Sequence, residues 1–498
     1  VYADVTSGLR CWCGEVGLGV GRLDQMLIDD AVRGSIAPDA ILQVGSPLIS
    51  KRIQKFVCSR STTLTARISV ICTPRDDWYD PGRAFTTRLA CSVGELSEAV
   101  DLAARDLDMG CDELLRLIPV SDAVERAQTA SISAALASEE PQARKPDSKA
   151  VPTGPSSTTA ATGANVAAGS QIPTAGSDSE APNACSSGRD IRAGGDGGGR
   201  VGAGAALTEP FVAWCASRHI RPSAGLFLSS SMPCRDVDSF ADTAGPMHGS
   251  WTGRGGGGGD GGDGGRRLSN VSSNRGACGI DGVVSSAMGF AAGLRAPVTL
   301  LIGDMATLHD LSSFHALRGV DAACCPVTVV CVNNGGGGIF SFLPIAEPRH
   351  ADVFSPLFDT PHAVDFEGVC LSMGLVYRRA STAREFQQAF LESQGVEGGH
   401  RVGGDQDNCG GQHFFIEAVT AREGNVPIHR SLGRLGCSTA IKRALRDVRL
   451  GWEFTPAPLA ESHTSGPTER GSKEDHDRVS RDKKNPTLLL LHGFMGSK

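Results

Sequence analysis

Val298-Thr-Leu-Leu-Ile-Gly-Asp304 and Val327-Thr-Val-Val-Cys-Val-Asn-Asn334 are the two stretches on which the fold of this chain turns. Each is a short, β-branched apolar run without polar alternation. Such runs read as strands buried on both faces, the habit of parallel sheets covered by helices. Each run ends abruptly in polar residues. Thirty residues separate Asp304 from Asn334, room for a helical crossover between parallel neighbours. Both side chains then sit at the carboxyl ends of strands, where open α/β sheets bind ligands. A carboxylate, an amide oxygen and a nearby backbone carbonyl are hard oxygen donors. They suit Mg2+, or Mn2+, bridging a diphosphate. The run from Gly335 to Gly338 lets backbone approach a ligand closely. Taken singly, Asp304 would cap a helix and Asn334-Gly335 would mark a turn. Their pairing at strand ends favours the ligand.

The same alternation of strands and helices extends outward. Residues 1–137 hold a buried opening strand (Val1 to Asp4), a strand from Ala40 to Gly45, a helix from Ser50 to Cys58 with Ile53 and Val57 on one face, and a strand from Ile68 to Cys72. Residues 205–450 hold a strand at Gly225–Leu228, a helix expected over Ile280–Leu294, and a last strand from His413 to Thr420. The fold class is α/β, with two Rossmann-like parallel-sheet domains. Between them, 138–204 is rich in Pro, Ser, Thr, Ala and Gly without apolar periodicity, and reads as a disordered linker. Residues 451–485 read as a second. Glycine-rich insertions fall at 253–265 and 395–412.

Bulk composition narrows the function classes. The chain has 498 residues, and its 48 Lys+Arg against 55 Asp+Glu give a net charge of −7. That balance does not point to nucleic-acid binding. No apolar run reaches membrane-spanning length. The 16 cysteines show no zinc spacing and read as reduced thiols, many in apolar runs.

Five separated motifs resemble one family. Ser273-Asn-Arg-Gly-Ala-Cys-Gly-Ile-Asp-Gly282, Ser231-Met-Pro-Cys-Arg-Asp236, Asn334 to Pro344, Gly45-Ser-Pro-Leu-Ile-Ser-Lys-Arg52 and Asn425-Val-Pro-Ile-His-Arg430 are similar to segments of the 2-succinyl-5-enolpyruvyl-6-hydroxy-3-cyclohexene-1-carboxylate synthases, and the Asp304/Asn334 pair resembles the metal signature of thiamine-diphosphate (ThDP) enzymes generally. The resemblance implies a ThDP- and Mg2+-dependent transferase of menaquinone or phylloquinone synthesis. It would decarboxylate 2-oxoglutarate and add the remainder to isochorismate. Residues 1–137 would be the central domain and 205–450 the diphosphate-binding domain.

Residue by residue, the resemblance implies Asp304, Asn334 and Gly336 as metal ligands. Cys278, Ile280, Gly303, Met305, Ala306 and Ile339 would join them around the cofactor. Lys51, Arg52, Ser231, Arg235 and Arg275 would meet substrate carboxylates, for which arginine forks are well shaped. Phe340 and Leu343 would wall the reacting carbons. Ile280 could equally be ordinary core, and each cation alone could be a solvated surface charge. Cys278 and Ala306 depart from the Ser or Asn, and the Ser, usual in the family. The glutamate that activates ThDP is expected in an upstream pyrimidine-binding domain outside this chain, or in a subunit of a dimeric or tetrameric homo-oligomer. The final residues, 486–498, resemble the start of an α/β-hydrolase and imply a multifunctional fusion, by analogy in a plastid. Other readings at this stage are a different ThDP-dependent decarboxylase or carboligase, and a non-catalytic fragment.

Overall fold

The computed structural model describes residues 2–7, 10, 21–36, 40–45, 48–59, 66–71, 85, 87–106, 124, 127–138, 206–222, 224–242, 268, 270–275, 278–397, 400–401, 411–436 and 488–492. Residues 142–203 form a separate unit. They lie outside the described residues, as do nearly all of the expected linkers at 138–204 and 451–485 and the whole insertion at 253–265.

The larger unit holds two parallel sheets. In the first, β1 (Tyr2–Ala3), β13 (Leu488–His492), β2 (Ala40–Val44), β3 (Ala66–Ile71) and β4 (Thr87–Ala90) lie side by side in that order. The leucine run expected to open a hydrolase domain is an inner strand of this sheet. Leu488 is paired with Ala40 and Leu491 with Tyr2. A run of four leucines suits any parallel slot covered on both faces, so its sequence does not say which sheet it joins.

The second sheet has six strands: β6 (Asn270–Ser273), β5 (Gly225–Leu228), β7 (Val298–Gly303), β8 (Val327–Asn333), β12 (Phe414–Val419) and β9 (Val376–Ala380), in that order. A small antiparallel pair, β10 (Val396–Glu397) and β11 (His400–Arg401), stands apart. The strand period of two sorts the apolar side chains into two clusters. Leu226, Leu301, Val330 and Ile416 join helices α3 (Glu209–His219), α4 (Met232–Phe240) and α8 (Ala383–Ser393). Phe227, Leu300, Val329 and Phe415 join α5 (Val283–Leu294) and α7 (Phe366–Met373). Each such side chain, fully buried, contributes about 1.5–3 kcal/mol.

Helix α5 begins at Val283, three residues later than the sequence pattern suggested. Gly282 is left-handed at φ 65°. Asp310 caps the start: its carboxylate accepts the Gly282 N–H at 3.2 Å and the Val284 N–H at 2.7 Å. In the first sheet's region, α1 (Lys51–Ser59) buries Ile53, Phe56 and Val57, while α2 (Val93–Asp106) follows β4.

The two sheets are joined by buried arginines. Arg10 pairs with Asp238 at 2.6 Å, both nearly inaccessible, and also bonds the Ala3 and Asp238 carbonyls. Tyr2 donates to the other Asp238 oxygen at 3.0 Å. Arg22 reaches the Ser239 and Ala241 carbonyls on α4's side. Residues 127–138 cross the boundary too, for Ile132 and Leu136 lie in the second sheet's cluster and Ser133 accepts the Trp214 indole N–H at 3.2 Å. Among the described residues, no helix is long and apolar enough to cross a membrane.

His413, just before β12, accepts the Val327 N–H on Nδ1 at 3.1 Å, with Nε2 3.3 Å from the Val320 carbonyl. That geometry requires the neutral ring protonated on Nε2. Burial holds its pKa below the usual 6.5. Its stabilisation is therefore present above pH 6.5 and lost as pH falls through the lower folded value. Urea unfolding measured from about pH 8 down to about pH 5 should show a falling midpoint. His413→Phe should cost about 1–3 kcal/mol at the upper end, for the orphaned N–H, and flatten that dependence.

Candidate active site

The β7–β8 register sets the site. Gly303 pairs with Val332, so the chain leaves both strands at one edge with Asp304 and Asn334 as neighbours. Asp304 opens helix α6 (Asp304–His309) and is buried. One carboxylate oxygen accepts the Met305 N–H at 2.7 Å; the other accepts the Gly336 N–H at 2.8 Å and lies 3.2 Å from His362 Nε2. Burial raises the Asp304 pKa, although these partners oppose the shift. The site therefore favours a compensating positive charge.

Asn334 donates Nδ2–H to Glu209 Oε1 at 2.8 Å, while its Oδ1 is buried without a partner. Its backbone carbonyl accepts from Arg422 Nε at 3.2 Å, and Arg422 also pairs with Asp359. The glycine run is threaded against Phe358–His362: Gly337 N–H donates to the Asp359 carbonyl at 2.7 Å. Gly336 has φ 148°, and a Cβ there would stand 2.2 Å from the Asp359 oxygen. Only glycine fits.

Most of the remaining expected site residues fall around this edge in three sets. Gly303 caps α6, Met305 is half-buried beside Thr360, and Ala306 is buried in the core under the site. Ile339 and Phe340 are half-buried in the turn after the glycines, with Leu343 more exposed. Phe340 meets Phe358 edge-on at 5.4 Å between ring centres. At the ends of β5 and β6, Ser231 stands before α4 at φ 81° and Cys278 at φ 55°. Two non-glycine residues in sparsely populated backbone regions, both within quoted motifs, mark strain of the kind that collects at functional sites. Arg235 bonds the Ser231 carbonyl. Arg275 bonds Cys278 Sγ at 2.8 Å, and its Nε is buried without a partner. Lys51 and Arg52 start α1 and are exposed. Arg52 is engaged by Asp24.

Sequence reading missed a buried group behind Asn334. Glu209, Asp236 and His429 place one ligand-type atom each within 4.8 Å of one another. His429 Nε2 lies 2.7 Å from Asp236 Oδ1, its Nδ1 2.8 Å from the Asn425 carbonyl, and Phe240 and Phe342 flank the ring. Burial alone would lower the His429 pKa, but the Asp236 carboxylate holds it above the usual value. Burial and the Asp236 charge push Glu209 up to about 7. Asp236 and His429 lie inside quoted motifs, a signal that was available. Glu209 follows the helix-capping Thr208 and reads from sequence as an ordinary first-turn acid.

A cleft of about 540 Å3 adjoins the site, with Asn334 and His362 in its lining beside Asn333, Gly335 and Glu417. In it Glu417 accepts from Asn333 Nδ2 at 2.6 Å and from the Tyr377 hydroxyl.

No protein-family model matches the chain. The 2-succinyl-5-enolpyruvyl-6-hydroxy-3-cyclohexene-1-carboxylate synthase of Rubrobacter xylanophilus is 41% identical over 248 residues, 49% of this chain and 36% of that protein. The proteins of the same name from Chlorobium limicola and Myxococcus xanthus are 36% and 38% identical over 226 residues, 45% of this chain and 32% of each relative. The chain thus spans about a third of the length of the curated relatives it matches. Among solved structures, benzoylformate decarboxylase from Polynucleobacter necessarius has a TM-score of 0.31 at 15% identity, covering 43% of this chain and 33% of that one.

Gly336→Ala should destabilise the chain by about 1–3 kcal/mol or more, because it adds both a clash and a forbidden φ. Urea unfolding in metal-free buffer measures it.

Proposed function

We propose that this chain forms the diphosphate-binding half of a ThDP-dependent enzyme, with Mg2+, or Mn2+ in its place, held by Asp304, the Asn334 amide oxygen and the Gly336 carbonyl. Within that class we propose the 2-succinyl-5-enolpyruvyl-6-hydroxy-3-cyclohexene-1-carboxylate synthase reaction, a transferase step in menaquinone or phylloquinone synthesis that uses 2-oxoglutarate and isochorismate. One observation carries the reading: a buried carboxylate and an unpartnered buried amide oxygen stand together at the ends of adjacent parallel strands. Identities of 36–41% to synthases of that name, over about half of the chain, support the finer assignment.

These donors fit a small divalent cation, since all are hard oxygens and Gly336 leaves no side chain in the way. When bound, ThDP would supply the nucleophilic carbon and the electron sink for decarboxylation. The chain's own residues bind and orient. Arg275, with a buried donor unspent, and Arg235, beside Ser231, supply forks for substrate carboxylates. Lys51 and Arg52 add positive charge from the first sheet. Phe340 and Leu343 exclude water from the reacting carbons, and Ile280 supports the cofactor ring. Ile280 and Leu343 are 41% and 45% exposed, which suits a site completed by a pyrimidine-binding domain, from the same polypeptide or a second subunit.

Calorimetric titration of the chain with Mg2+–ThDP tests the cofactor. Asp304→Ala and Asn334→Ala should each weaken binding by about 10–100-fold; equally poor binding by all three proteins would count against the metal ligands. A second titration separates substrates. The chain should bind 2-oxoglutarate more tightly than pyruvate, and Arg235→Ala should remove the difference. Equal affinity for the two acids in the parent chain would favour a monocarboxylate decarboxylase.

A further inference from the structure

We infer that Glu209 is a positioning residue that orients the Asn334 amide so that its oxygen, not its nitrogen, faces the cation. The inference rests on the metal reading of Asp304 and Asn334 and goes one layer behind it.

Glu209 is the first residue of α3, 125 positions away in sequence, and only 2% exposed. An acid in the first turn of a helix is favourable through the helix dipole, but an exposed one serves that purpose without desolvation. Here Oε1 accepts the Asn334 Nδ2–H at 2.8 Å. A primary amide has a donor end and an acceptor end of nearly equal size. As Oε1 stands here it accepts, so the flipped amide would set oxygen against oxygen. The contact therefore selects one orientation and leaves Asn334 Oδ1 free to ligate. The fit is close on the other side as well, since a Cβ on Gly338 would come within 2.3 Å of Asn334 Nδ2. Asp236, paired with His429, stands behind Glu209 and closes the group away from solvent.

The test is Mn2+ binding to the full 498-residue chain in the presence of inorganic diphosphate, read from the EPR signal of free Mn2+. Glu209→Met fills the space but accepts no hydrogen bond, and should weaken Mn2+ by about 10-fold or more. Glu209→Gln can still accept from Nδ2 and should stay within about threefold of the parent. In an Asn334→Ala background, Glu209→Met should change nothing further, because its effect passes through that amide. Should Glu209→Met not fold, Glu209→Ala replaces it under the same criteria. Parent-like affinity in the apolar variant, or an equal loss in the Asn334→Ala background, overturns the positioning role. The reading beneath it stands in that case if Asp304→Ala abolishes binding. Absence of Mn2+ binding by the parent chain overturns both.

Discussion

The pairing of Gly303 with Val332 between two adjacent parallel strands is the constraint from which the site follows. It fixes the axial position of both strand ends, so the residues just beyond them, Asp304 and Asn334, are neighbours whatever the intervening helices do. A slip of one residue would turn every apolar side chain of β8 to the opposite face. Two separate clusters therefore resist that slip, one on each face. The Asp304 carboxylate then accepts N–H groups from its own strand end and from the neighbouring glycine loop. Sheet register, loop path and the placing of the Asp304 carboxylate are thus one problem with one solution.

The order of strands explains why the site is built from so many distant pieces. β7 and β8 are central, and β5 with β6 lies on one side. The loops after β5 and β6, and the first turn of α4, carry Ser231, Arg275, Cys278 and Arg235 to the same edge as the glycine loop. Asp310 fixes the end of this arrangement by capping α5, which holds the Ile280–Gly282 turn in place.

What could be read from the sequence was local. Gly303-Asp304 and Asn333-Asn334 follow immediately on strands whose apolar runs are unmistakable, so strand and candidate site are announced together. The α5 start was misplaced by three residues because its cap, Asp310, lies 26 residues further on. Glu209 escaped notice for a similar reason, since its partner is 125 residues away and its local context supplies a sufficient bland explanation. The leucine run at 488–491 was read by resemblance as the start of something new. Its parallel pairing with β2 depends on an open slot in a sheet whose other strands lie more than 390 residues earlier. Cations such as Lys51 and Arg52 stand on the first sheet's helix, and a motif conveys their identity but not their reach.

Trp214 draws the helix at 127–138 into the core of the second sheet, although that helix precedes the long segment at 139–205 in the chain. The natural seam for gene rearrangement therefore does not fall where composition changes. A recombination junction placed in that segment would transfer the six-stranded sheet without Ile132 and Leu136, exposing the apolar flank of α3. The same junction would leave Arg10 without Asp238, a buried charge stranded in the donor half. The two sheets thus share cover supplied from both sides of that segment, and dividing the chain there would uncover both.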